Sequence, residues 1–206
     1  MSVSRMAKIR FVFAAAFVVV TGLSAIGVPS KLSAAQQASA TEVLLPIDAA
    51  QSKVHYVVSS TLHTVHGEFS LKRGDIHFDP ESGKAGGQVI VDATTGESGS
   101  NARDKRMHKE ILESDKYSEV IFVPDRIVGK VVLSGSSSVQ IHGTFTLHGT
   151  SHELTVPAQV NFSGDRWNSN ATFDVPYISW GLKNPSNFLF KVSPTVTIHL
   201  ELSGTH

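Results

Sequence analysis

Ten histidines are the residues of this chain best suited to chemistry. Imidazole titrates near neutrality and ligates metals readily. Position decides how many are available for it. His55 lies between Val54 and Tyr56, His77 between Ile76 and Phe78, and His199 between Ile198 and Leu200. Side chains alternate faces along a strand, so these three point away from an apolar face. His142 and His148 share the parity of Thr144 and Thr146, opposite Ile141, Phe145 and Leu147, and are expected on the same outer, solvated face. His206 ends the sequence. His63, His66, His108 and His152 remain. His63 shares parity with Val65, Phe69 and Leu71 and is expected to point inward, where a lone histidine is more often a hydrogen-bonded core group than a ligand. His108 follows Met107, close to Arg103 and Asp104, a pair that reads either as a clamp for a ligand head group or as a surface ion pair or cap.

No two histidines have the helical spacing of a zinc hydrolase, and no Gly-x-Ser-x-Gly elbow presents a nucleophile. Glu110 with Glu113, and Asp79 with Glu81, sit in charged helix or turn contexts. No glycine-rich phosphate loop opens a helix. The sequence contains no cysteine, which excludes disulfides, thiol catalysis and thiolate metal sites. We therefore assign no catalytic residue, no metal ligand and no cofactor. A small enzyme or metal or redox protein using His63, His108 and His152 stands as the alternative.

The elements that would position these groups are strands. From Ser52 to Leu202 apolar and polar residues alternate, the mark of a sheet with one apolar face. Strands are expected at Val54–Val58, at Val65–Phe78 with a bend near Gly74, from Val89, at Val120–Val123, at Ile127–Leu133, at Val139–Leu147, at Leu154–Phe162, at Trp167–Val175 and at Val196–Leu202. Thr41–Gln51 reads as an entry segment. Short polar turns between consecutive strands make an antiparallel meander. The exception is Asn101–Asp115, a helix expected to be capped by Asn101, with Met107, Ile111 and Leu112 as its apolar stripe. Tyr56, Phe69, Phe78, Phe122, Phe145, Phe162, Phe173 and Trp180 are spread over the inward face. They describe either a packed core or a long apolar tunnel.

The 206 residues suffice for one domain with a real core. Residues 1–40 read as a secretory signal peptide: Arg5, Lys8 and Arg10 precede an apolar run from Phe11 to Val20, and Ala38-Ser39-Ala40 fits small-residue cleavage after Ala40. A permanent N-terminal anchor is the other reading of that run. The leader carries Arg5, Lys8, Arg10 and Lys31 and no acid, leaving 14 basic against 18 acidic residues in 41–206. A mildly acidic domain with no basic run is a poor partner for nucleic acid. Export to the periplasm or beyond is expected.

Several segments resemble the YceI-like proteins, bacterial polyisoprenoid-binding domains. They are SKVHYVV (Ser52–Val58), HTVHGEF (His63–Phe69), RDKRMHKEILESDKYSEVIF (Arg103–Phe122), GTFTLHGTSHELTVPAQV (Gly143–Val160) and WGLKNPS (Trp180–Ser186). The likeness covers about Pro46 to Leu202. Ser118 departs from it, standing where the family usually has proline. The resemblance implies an extended eight-stranded antiparallel lipocalin-like barrel, with the helix over one opening and a channel for an isoprenoid or other long-chain amphiphile. On that reading Tyr56, Val58, Phe69, Phe78, Val91, Leu112, Phe122, Phe145, Phe173 and Leu200 line the channel, and His63 and Arg103 stand at its polar end. Contact with a membrane is expected to be transient at most, and a homodimer is compatible with the sequence. A filled barrel acting as a structural or partner-binding module is the further alternative.

Overall fold

The computed structural model describes residues 42–206; the expected leader, 1–40, lies outside them. The chain runs β1 (Val43–Pro46), β2 (Lys53–Ser59), β3 (Thr64–Phe78), β4 (Ala85–Glu97), α1 (Asn101–Arg106) and a π-helical stretch Met107–Leu112. It continues through β5 (Glu119–Val128), β6 (Gly135–Leu147), β7 (Thr150–Ser163), β8 (Arg166–Val175) and β9 (Val196–Thr205). Each strand from β2 to β9 pairs antiparallel with its sequence neighbour, and β9 returns to β2, giving a closed eight-stranded barrel. Closure gives every strand of the ring a partner on both sides, although β7 and β8 pair over only part of their length.

Two short strands share one side of the 15-residue β3. β2 pairs with its first half, Thr64–Phe69, and β1 with its last residues, Asp75–Phe78. The expected entry segment thus contributes a strand of its own. β5 is also one strand rather than two. The ladder with β6 passes Pro124 and skips Asp125, a bulge that bends the strand where Pro124 lacks an N–H to donate. Leu133 falls outside the strands.

The helix differs from expectation in two ways. Ser100, not Asn101, occupies the cap position, and no side chain caps the first turn. Asp104 instead accepts a hydrogen bond from the Ser98 hydroxyl. After Arg106 the helix widens: the Glu113 N–H reaches back five residues to the His108 carbonyl, and Glu113 ends the stretch in the left-handed region at φ 46°. Bonding over five residues puts positions four and five apart on one side. Met107, Ile111 and Leu112 therefore all face the barrel.

Alternation along the strands puts one apolar row of each inside. The end carrying the turns 79–84, 129–134 and 164–165 is closed by Phe78, Phe162 and Trp167, at most 2% exposed, packed with Leu45, Val54, Val139, Val160 and Leu202. The other end carries the 60–63 turn, the helix and the segment 176–195. Here β7 and β8 part company: their ladder covers only Ala158–Ser163 against Arg166–Ala171. Beyond it the turns after β8 pack against β7 and β6, with Trp180 stacked on His152 at 4.2 Å and tilted against Phe145 at 5.6 Å. Val175, Tyr177 and Leu182 join Phe145 and Leu147 in a second apolar cluster.

Candidate functional site: an apolar cavity with a polar mouth

Between the two clusters the barrel is hollow. A cavity of about 450 Å³ runs along the axis, and its charged lining residues are Arg103 and Arg106, with no carboxylate. All ten expected channel residues lie on its wall: Tyr56, Val58, Phe69, Phe78, Val91, Leu112, Phe122, Phe145, Phe173 and Leu200. They do not play one part. Phe78 and Tyr56 are buried among neighbours, whereas Val58, Phe69, Val91, Phe122, Phe173 and Leu200 are only half-buried because their inner surface faces open space. The filled-barrel alternative required a solid interior, and the interior is not solid.

Trp180 does not share the strands' inward face. It sits in the turns after β8, against His152.

The lid over the mouth is seated by close packing and a small polar network. Gly96 makes the seat, since a Cβ there would come within 2.3 Å of the Phe69 ring and 2.8 Å of the Met107 methyl. Tyr56 lies under the lid with its hydroxyl 3.6 Å from Met107 Sδ. Burial raises the Tyr56 hydroxyl above its usual range, against the opposing effect of a hydrogen bond with Ser98. Arg103 donates from Nε to Ser98 Oγ at 2.7 Å and from Nη2 to the Ser98 carbonyl at 2.8 Å. Ser98 thus holds both Arg103 and Asp104, which as adjacent helix residues do not face each other.

His63 lies at the mouth just before β3 and is exposed, not a buried core group. Its Nε2 accepts from Arg103 Nη1 at 3.4 Å. The two residues expected at the polar end therefore meet there. His108 has a different task. Its Nε2 lies 2.8 Å from the Gly96 carbonyl, which only accepts, so Nε2–H donates; Nδ1 pairs with Ser114 Oγ at 2.9 Å. The ring pins the lid to β4. His152 is stacked on Trp180, and its Nε2 is buried without a hydrogen-bond partner. These placements give the three histidines separate roles, and no three potential metal ligands converge among the described residues.

The outer histidines are engaged rather than merely solvated. His55 faces Glu68 at 3.7 Å, His142 meets Asp125 at 2.8 Å, His77 meets Glu42, and His199 pairs with Thr172 at 3.0 Å. His148 departs from its expected place on the outer face of β6. It begins the β6–β7 turn at φ 52°, packed 4.2 Å from the Tyr117 ring.

The sequence reading missed the segment that completes the mouth. Pro185, Asn187, Phe190 and Val192 line the cavity alongside Leu62 and Arg106. Lys183 reaches from this segment to Glu110 of the lid at 3.0 Å, and Arg106 approaches the same carboxylate at 3.5 Å. The hydrogen bond and charge of Lys183, with Arg106 adding to them, hold the Glu110 carboxyl below its usual range. The one advance signal was a Phe-Leu-Phe run in a stretch without strand alternation.

A closed antiparallel barrel with an axial apolar cavity and a polar rim belongs to the lipocalin-like class of binding folds. Comparison with known proteins sharpens that to a family. Residues 45–204 match the YceI-like domain, and the chain belongs to that family. Among relatives, a UPF0312 protein of Vibrio parahaemolyticus is 26% identical over 155 residues, covering 68% of this chain and 80% of its own. Among solved structures, Burkholderia cenocepacia BcnA superposes with a TM-score of 0.65 at 20% identity, over 77% of this chain and 99% of its own. A polyisoprenoid-binding domain from Saccharophagus degradans gives 0.57 at 18% identity, over 78% and 97%. At these identities the structures establish the shared fold.

Proposed function

We propose that the chain is a non-enzymatic carrier or store for an elongated amphiphile, a polyisoprenoid such as an isoprenoid quinone or polyprenyl chain. The tail would lie in the axial cavity and the head group near Arg103 and His63. The observation that carries this reading is a cavity of about 450 Å³ inside the barrel, lined almost wholly by apolar side chains, with its cations at one end. Withdrawing apolar surface from water favours such binding by roughly 25 cal/mol per Å² before the costs of association. The polyisoprenoid-binding description of the Saccharophagus domain supports the same ligand class. The basic start, apolar run and Ala38-Ser39-Ala40 support export, with cleavage after Ala40 and residence in the periplasm.

The test is to purify the protein from the envelope of its own cells, determine its N-terminus and extract it with organic solvent for mass spectrometry. The expected result is a chain beginning at Thr41 that releases a long-chain lipid in stoichiometric amount. Folded protein that yields no lipid, and takes none up from a mixed lipid extract, would reject the proposal.

A further inference from the structure

Eight large apolar side chains are exposed among the described residues, and four of them belong to two adjoining turns at the mouth. Phe188 is 95% exposed, Leu189 73% and Leu62 67%, with Phe190 beside them at 42%. These turns are held in shape. The Asn187 N–H donates to the Phe190 carbonyl at 2.8 Å, and the Asn187 side-chain oxygen accepts from the N–H groups of Leu189 and Phe190. The second turn is closed by the Ser60 N–H on the His63 carbonyl at 3.1 Å. The two are joined by the Thr61 N–H on the Lys191 carbonyl at 2.9 Å and a bridge between Ser60 and Val192. Ordered backbone thus presents Leu62, Phe188 and Leu189 at the turn tips, where nothing else in the fold covers them. An exposed apolar cluster of this kind marks a contact surface.

Charge around the cluster indicates the contact. Between Val175 and Val196 the chain carries Lys183 and Lys191 and no acid. Arg103 and Arg106 line the opening. Among the described residues, Glu110 is the one carboxylate paired with this group, and neither Arg103 nor Lys191 forms a salt bridge. Apolar tips rimmed by cations complement a surface that is apolar beneath a negatively charged layer. Aromatic and aliphatic side chains enter the boundary of a bilayer while lysine and arginine meet its anionic head groups.

We propose that the mouth end docks on an anionic phospholipid bilayer, with Leu62, Phe188 and Leu189 inserted at the head-group boundary and Arg103, Arg106 and Lys191 against lipid phosphates. The opening would then face the membrane, a geometry suited to passing a tail between bilayer and cavity. That purpose rests on the carrier reading above. The docking itself does not, and it is tested with lipid-free protein.

The measurement is co-sedimentation with vesicles of phosphatidylglycerol mixed with phosphatidylcholine, against pure phosphatidylcholine. Wild type and variants share one N-terminus, so differences report the substituted positions. The double variant Phe188→Ser and Leu189→Ser should bind the anionic vesicles roughly tenfold or more weakly, the scale expected on removing two inserted apolar side chains. Lys191→Gln should weaken binding about fivefold. Val128→Ser, a change at an exposed valine on the closed end, should leave binding as it was. Vesicles should also slow hydrogen exchange at residues 60–63 and 187–191 and not at the closed-end turns. Equal binding by wild type and the double variant, or protection spread away from the mouth, would overturn the proposal. So would protein self-association that accounts for the same protection without lipid. Failure to extract a lipid cargo would not bear on this result, and the two outcomes are separately readable.

Discussion

The closed end and the mouth are built from the same strands with the same alternation, yet they hold together differently. At the closed end the inward row is aromatic: Phe78, Phe162 and Trp167 are almost fully buried and form the floor of the cavity. Toward the mouth the inward row is Val58, Val91, Phe122, Phe173 and Ile198, which face the cavity and remain half-buried. The covering there is a short helix and a looped segment, tied by Ser98, His108 and Glu110 and packed through Ile111 and Leu112 on the smaller apolar cluster around Phe145 and Tyr177. One pattern therefore supplies stability at one end and room at the other. Regions with fewer buried apolar contacts open first, so the covering of the cavity is expected to open before the closed end does.

That contrast is open to test. Trp167→Ala should have the largest effect, costing about 3–5 kcal/mol in urea unfolding as a large side chain leaves a packed site. Phe173→Ala should cost less, about 1–2 kcal/mol, because its ring is already half free of neighbours. Equal costs would mean that the two ends do not differ in packing. His108→Ala should cost about 1–3 kcal/mol, the loss of a partner for the Gly96 carbonyl and Ser114. That loss should appear chiefly as faster amide exchange in 101–117. Ser98→Ala should act on the same amides with a smaller effect, about 0.5–1.5 kcal/mol, as Arg103 and Asp104 lose their shared contact.

The smallest effect is one of pH. Lys183 and then Arg106 hold Glu110 below its usual range, so the tie between lid and mouth segment is fully present above the ordinary carboxylate value. It is lost as pH falls through the lowered value. Acidification should therefore speed exchange in 183–192 before it affects β6 and β7, and Glu110→Gln should remove the difference.

Much of this was legible in the residues. Alternation put the nine strand residues of the wall on one face, and the charged interruption after β4 marked the lid that carries Leu112. Parity misled where strands end. His63 continues the inward row of β3 and lines the cavity, yet it precedes the first paired residue and so lies exposed at the mouth instead of in the core. His148 follows the outer row of β6 yet belongs to the turn. The π-helical stretch was hidden because apolar residues at 107, 111 and 112 suit an ordinary helix nearly as well. The mouth segment had no periodicity to read, since backbone bonds to Thr61 and its own Asn187 set its shape.

The parting of β7 and β8 has a consequence for the wall. A closed barrel has a bore fixed by its strand count and stagger, because every widening stretches a hydrogen-bonded ladder. Here Thr150–Pro157 and Thr172–Val175 share no ladder, and the gap is spanned by side chains: Trp180 lies on His152, and Leu154 packs in the cluster with Phe173 and Val175. The wall near the opening is thus held on this side by side-chain packing, where the rest of the ring is held by backbone bonds.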